Sequence, residues 1–127
     1  MISLPYLVRV FLHARPTDLR KGFDALSGLV TTVFGQDLTS GCLFLFVNRR
    51  RDRIKILYWD RDGLAIWYKR LETGSFQLPK VCTNAASIEM TPTQLALILS
   101  GIDLRSARQR KRYQRPTPAI ENRLLPS

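Results

Sequence analysis

Alternation dominates the middle of the chain. Residues 42–48, 53–60 and 64–71 read as three strands, because apolar side chains return at every second position. Asp62-Gly63 separates the last two and predicts a two-residue hairpin. With that turn, Tyr58 is expected opposite Trp67 and Leu57 opposite Tyr68. With residues 49–52 as the first loop, Val47 faces Ile54, Leu45 faces Ile56 and Leu43 faces Tyr58. One side of the sheet then carries Leu43, Leu45, Val47, Ile54, Ile56, Tyr58, Ala65 and Trp67, with Lys69 at its margin. The other carries Phe44, Phe46, Arg53, Lys55, Leu57, Trp59, Ile66, Tyr68 and Arg70. The first is a core face; the second mixes aromatics with cations.

Helical spacing flanks these strands. Leu19, Phe23, Leu26, Val30 and Val33 follow each other at steps of four, three, four and three, one apolar stripe of a helix over 18–33. Thr17 or Asp18 is its expected N-cap and Gly35 its stop. A strand is expected over 7–14 and a short one near 86–90. Thr91-Pro92 opens a second helix that runs to about Ser100 and ends at Gly101. The fold class this predicts is α+β: a small antiparallel β-meander sheet packed with one amphipathic helix and a shorter C-terminal helix. Helix 18–33 is the natural cover for the face bearing Leu45, Ile56 and Trp67, which puts Trp67 in the core. Residues 1–104 are expected to form a single domain, followed by a basic and then proline-containing flexible tail over 105–127.

Charge sharpens the picture. Twenty Lys/Arg against ten Asp/Glu leave a formal net charge of +10, which points to an anionic partner, nucleic acid before others. The excess is local. Arg49, Arg50 and Arg51 form the tip between two strands with Asp52 as their sole acidic neighbour, and the tail RSARQRKRYQR (105–115) holds no acid at all. The candidate nucleic-acid-binding residues are therefore Arg49, Arg50, Arg51, Arg53, Lys55, Lys69 and Arg70, with Arg105, Arg108, Arg110, Lys111 and Arg112 in the tail. Guanidinium groups suit phosphate because they donate in a planar fork. The mixed sheet face has two readings. It is a platform on which bases stack between cations, or helix 91–100 covers its aromatics, Trp59 included, and leaves a basic rim.

Catalytic chemistry finds little purchase. Cys42 and Cys82 lie far apart with His13 as the sole histidine, so no zinc site is expected. Asp60-Arg61-Asp62-Gly63 opens like a calcium loop, but its twelfth position is Leu71 rather than Glu. No glycine-rich phosphate loop and no nucleophile elbow occur. A non-enzyme without metal or cofactor is expected. MISLPYLVRVFLHA reads as a strand rather than a signal peptide, no run is long enough to span a bilayer, and no helix is both amphipathic and Lys/Arg-lined. A cytoplasmic protein with no membrane contact is the expectation.

PTDLRKGFDALSGLV (16–30), then GCLFLFVNRRRDRIKILYWDRDGLAIWYKRLETGSFQLP (41–79), then MTPTQLALILSGID (90–103), follow in an order that carries a resemblance. Over roughly residues 2–105 the chain resembles the accessory protein from the second open reading frame of the insertion-sequence 66 family. That product is often called TnpB and is unrelated to the RNA-guided nuclease of the same name. The resemblance implies a bacterial mobile element and a role in transposition beside a separate transposase, which would be a protein partner and would hold the DNA-cutting carboxylates. It carries over no catalytic residues, and PTPAIENRLLPS (116–127) departs from the family's pattern. Two functions are open: a nucleic-acid-binding accessory, or an adaptor that docks the transposase or another element-encoded protein.

Overall fold

In the computed structural model the described residues are 8–80 and 85–100. Strand β1 (Val10–His13) leads to helix α1 (Phe23–Leu29), which continues as a π-helical turn over Val30–Phe34. A short 3-10 turn (Leu38–Ser40) precedes strands β2 (Leu43–Val47), β3 (Arg53–Asp60) and β4 (Gly63–Arg70). Strand β5 (Ser87–Met90) and helix α2 (Pro92–Ser100) follow. The sheet order is β4-β3-β2-β1-β5. The β2–β3–β4 meander is antiparallel as expected, while β1 runs parallel to β2 and antiparallel to β5. The fold is α+β, with the meander extended into a five-stranded mixed sheet.

The two helices cover opposite faces, and the expected assignment is reversed. Helix α1 and its π-turn bury Leu26, Val30 and Phe34 against Phe11, Phe44, Phe46 and Leu57. Helix α2 buries Leu95, Ile98 and Leu99 against Val10, Leu12, Leu45, Val47, Ile54 and Ile56. The parallel pairing of β1 with β2 explains this. It makes β1–α1–β2 a crossover unit, and the right-handed rule for such units allows the helix one face only. Helix α2, arriving from β5, takes the other. Every residue of β2 is consequently buried, as suits a strand covered on both sides.

Several local details also depart from expectation. Helix α1 starts at Phe23, with Gly22 as an N-cap that makes no side-chain bond. Asp18 caps nothing there; its carboxylate accepts from the backbone N–H of Arg20 at 3.0 Å and makes a tight turn instead. Phe23 is consequently left exposed, whereas Leu19 reaches the core from the turn. The β3–β4 register lies two residues from the expected one, with Ile56 opposite Trp67 and Tyr58 opposite Ala65. Arg61 and Asp62 form the turn: Arg61 adopts a left-handed φ of 57°, and the carbonyl of Asp60 accepts from the N–H of Asp62 at 2.6 Å. The indole Nε1 of Trp59 donates to the carbonyl of Arg61 at 3.0 Å and ties the turn down. A shift of two keeps every side chain on its predicted face. Trp59 is half-buried on the α1 side, away from α2, and Trp67 on edge strand β4 is half-buried rather than fully enclosed.

The helix ends otherwise follow the residues. Gly35 terminates the first helix at φ 61°. Thr91 and Gln94 form a reciprocal capping box at the start of α2: Gln94 Oε1 accepts from the N–H of Thr91 at 2.9 Å, and Thr91 Oγ1 from the N–H of Gln94 at 3.1 Å. Among the described residues no helix is long and apolar enough to cross a membrane.

Candidate nucleic-acid interface

Asn48 builds the arginine tip. Its Oδ1 accepts from the backbone N–H of Asp52 at 3.1 Å and of Arg53 at 3.0 Å, while its Nδ2 donates to Asp52 Oδ1 at 2.6 Å. The N–H of Arg51 closes the turn on the carbonyl of Asn48 at 3.0 Å, with Arg51 itself at φ 59°. The chain after β4 straps the tip from outside. Leu71 N–H donates to the carbonyl of Asp52 at 2.7 Å, and Phe76 N–H to that of Arg51 at 2.6 Å. The side chain of Phe76 is buried in the α2 cluster, so the strap is anchored in the core. On the opposite flank, Thr17 N–H donates to the carbonyl of Val47 at 2.8 Å, which lays the 16–20 turn alongside the hairpin.

These two segments enclose an open cleft of about 550 Å³. Its lining includes Arg20, Arg49, Arg50 and Arg53, together with Asp18, Asp52, Asn48 and Tyr68. The two carboxylates are already engaged. Asp18 pairs with the Arg20 guanidinium, Oδ2 to Nη2 at 2.8 Å and Oδ1 to Nε at 3.0 Å. Those hydrogen bonds, with that from the Arg20 backbone, hold its pKa down at about 2. Asp52 is held by Asn48. Arg49 and Arg50 are exposed and have no carboxylate partner among the described residues. Arg53 Nη1 lies 3.4 Å from the Tyr68 hydroxyl. The cleft therefore presents a net positive charge to solvent, with four guanidiniums against two carboxylates in its lining.

The predicted residues fall into distinct places. Arg49, Arg50 and Arg53 meet at the cleft. Arg51 sits on the same tip, exposed, outside the cleft lining. Lys55 lies deeper: its Nζ donates to the carbonyl of Lys21 at 3.0 Å and stands 4.9 Å from the centroid of the Tyr68 ring. Arg70 shares that sheet face but pairs with Glu72 at 2.9 Å. Lys69 does not join them. It pairs in register with Ile54 and points to the α2 side, because neighbouring residues of a strand face opposite ways. Arg105, Arg108, Arg110, Lys111 and Arg112 lie outside the described residues. The mixed face is thus mostly closed: its phenylalanines lie under α1 rather than α2, and a basic rim with Tyr68 remains.

Asn48, Phe76 and Arg20 did not stand out in the sequence. Asn48 followed four positions later by Asp52 is a loop-closing pattern that could have marked the first. Nothing local marks Phe76, whose role depends on a return of the chain. His13 is half-buried, with Nδ1 3.1 Å from the hydroxyl of buried Thr17 and its ring against Phe34 and Phe46. Burial pushes its pKa below the ordinary histidine value. This arrangement fixes the start of the 16–20 turn. Among the described residues no group of three or more His, Cys, Asp or Glu could hold a metal.

Comparison with known proteins supplies the context. The model of the family described as IS66 Orf2 like protein matches residues 8–109. The chain belongs to this family. Membership places it in the accessory machinery of insertion-sequence transposition. Two similar proteins from Sinorhizobium fredii (strain NBRC 101917 / NGR234) bear the names Uncharacterized protein y4jC and Uncharacterized protein y4hO. The first is 34% identical over 110 residues, covering 87% of this chain and 92% of the relative. The second is 36% identical over 98 residues, covering 77% and 84% respectively. No solved structure matches significantly. The family match spans both cleft segments, 16–20 and 48–53, and all of the meander.

Proposed function

We propose that this chain is a non-catalytic accessory protein of transposition that binds nucleic acid through its phosphates, at the cleft formed by the 16–20 turn and the arginine hairpin. The observation that carries the reading is the set Arg49, Arg50 and Arg53 on a tip pinned by Asn48 and strapped by Phe76, with the neighbouring carboxylates already committed. A rigid loop loses less freedom on binding than a floppy one, so such cations are placed to bind rather than merely to solubilise. Phosphate contacts of this kind position a protein on DNA without reading sequence. The basic tail, with Arg105, Arg108, Arg110, Lys111 and Arg112, would add a second phosphate-contact region.

The test is a binding titration against element-end and random DNA at several salt concentrations. Each phosphate neutralised on duplex DNA contributes roughly −0.9 to the log–log salt slope. Replacing Arg49, Arg50 and Arg53 together by Ala is expected to flatten the slope by about two to three, with melting nearly unchanged because exposed charges contribute little to stability. A folded triple variant with unaltered affinity and slope would refute the reading. If that variant instead lost co-purification with the transposase after nuclease treatment, the cleft would be a protein-docking surface.

A further inference from the structure

We propose that the cleft accepts an unpaired nucleotide, its base stacked on Tyr68 and its flanking phosphates on Arg49 and Arg50, so that the protein prefers single-stranded or frayed DNA to closed duplex. The proposal rests on the reading of the cleft as a nucleic-acid site and adds the class of strand it takes. Tyr68 is one of two large hydrophobic side chains left strongly exposed among the described residues, at 47%, and it lines the cleft. The reason for its exposure is visible in the fold. The α1 cluster reaches Leu64 and Ile66 on the same strand face but not Tyr68, because the chain over 16–22 turns rather than continuing the helix backward.

The ring is also held in place. Lys55 Nζ lies 4.9 Å from its centroid, with that ammonium fixed in turn on the carbonyl of Lys21, and Arg53 approaches its hydroxyl at 3.4 Å. Lys55 thus covers one face of the ring and Arg53 meets its hydroxyl, so a base would stack on the opposite face, beside the exposed guanidiniums of Arg49 and Arg50. A cleft of about 550 Å³ lies within the size range of small-ligand sites. A closed duplex keeps its bases stacked inside, offering this ring nothing but its backbone, and reaching a base would require paying to extrude it.

The test compares oligonucleotides of equal length as single strand, forked duplex and blunt closed duplex, with wild-type protein, Tyr68→Phe and Tyr68→Ala. Single-strand affinity is expected to fall about tenfold or more in Tyr68→Ala and to be largely kept in Tyr68→Phe, since stacking needs the ring and not the hydroxyl. The loss in Tyr68→Ala should be larger for single strand than for closed duplex, because only the unpaired base stacks on the ring. A second readout needs no variant: 2-aminopurine placed in the single strand should change its fluorescence on binding to the wild-type protein. Equal affinity for single strand and closed duplex, or Tyr68→Ala binding single strand as tightly as wild type, would overturn the proposal while leaving phosphate binding intact. Absence of binding to all three oligonucleotides would overturn both.

Discussion

Replacing Asn48 by alanine tests the construction of the arginine tip. The side chain makes three hydrogen bonds, two accepted from backbone N–H groups of Asp52 and Arg53 and one donated to the Asp52 carboxylate. At about 0.5–1.5 kcal/mol net for each bond, their loss would cost roughly 1.5–4.5 kcal/mol. Solvent can reach this half-buried turn and rehydrate part of what is exposed, so a value near 2 kcal/mol is expected, or roughly 6–10 °C in Tm for a chain of this size. Asn48→Asp makes the experiment sharper. It keeps both acceptor bonds but turns the 2.6 Å donor contact with Asp52 into an approach of two carboxylates. That raises one carboxyl pKa in the folded state, so Asn48→Asp should be destabilised at neutral pH and recover as pH falls through the carboxylate range. Urea or thermal melts at pH 7 and pH 4 read both effects. DNA affinity should fall several-fold in Asn48→Ala, because the arginines must then be ordered on binding. If Asn48→Ala melts within about 0.5 kcal/mol of wild type, or if Asn48→Asp is no more stable at pH 4 than at pH 7 relative to wild type, the tip is not held by this side chain.

The remaining expectations concern the core and the acidic flank of the cleft. Phe44 is fully buried, stacked on Phe11 at 6.0 Å and tilted against Phe34 at 5.2 Å by ring centroids, so Phe44→Ala should cost about 3–5 kcal/mol in urea unfolding; a loss below about 1 kcal/mol would show that α1 does not close this face. The Asp18 carboxyl should titrate at about 2 in an NMR experiment, against an ordinary value of 3.8. Because the folded value is the lower one, whatever stability the pair contributes is present above the unfolded value and fades as pH falls from there toward the folded one. Arg20→Gln should return the midpoint toward 3.8, and a wild-type midpoint already there would mean that the pair does not persist in solution.

The strands, their faces and the helix starts that carry local markers were legible from residue order. Alternation alone placed Leu45, Ile56 and Trp67 together and Phe44, Leu57 and Tyr68 together, and a two-residue slip at Arg61-Asp62 left both sets intact because side chains in a strand repeat with period two. Thr91-Pro92, Gly35 and the basic tip were equally local. The tertiary structure decided which helix covers which face. An apolar stripe records that a helix must be buried but not where, and the parallel pairing of β1 with β2, a contact between residues more than thirty positions apart, carries no local signal. The start of α1 was decided in the same way. An Asp side chain can cap a helix or close a turn two residues on, and the backbone bond from Thr17 to Val47 fixes the chain where the turn, and not a longer helix, lies beside the hairpin. That outcome leaves Tyr68 uncovered next to Arg49, Arg50 and Arg53. Residue order showed the cations; the cleft that gathers them, and its aromatic wall, exist only because two segments some thirty residues apart are brought side by side by the sheet.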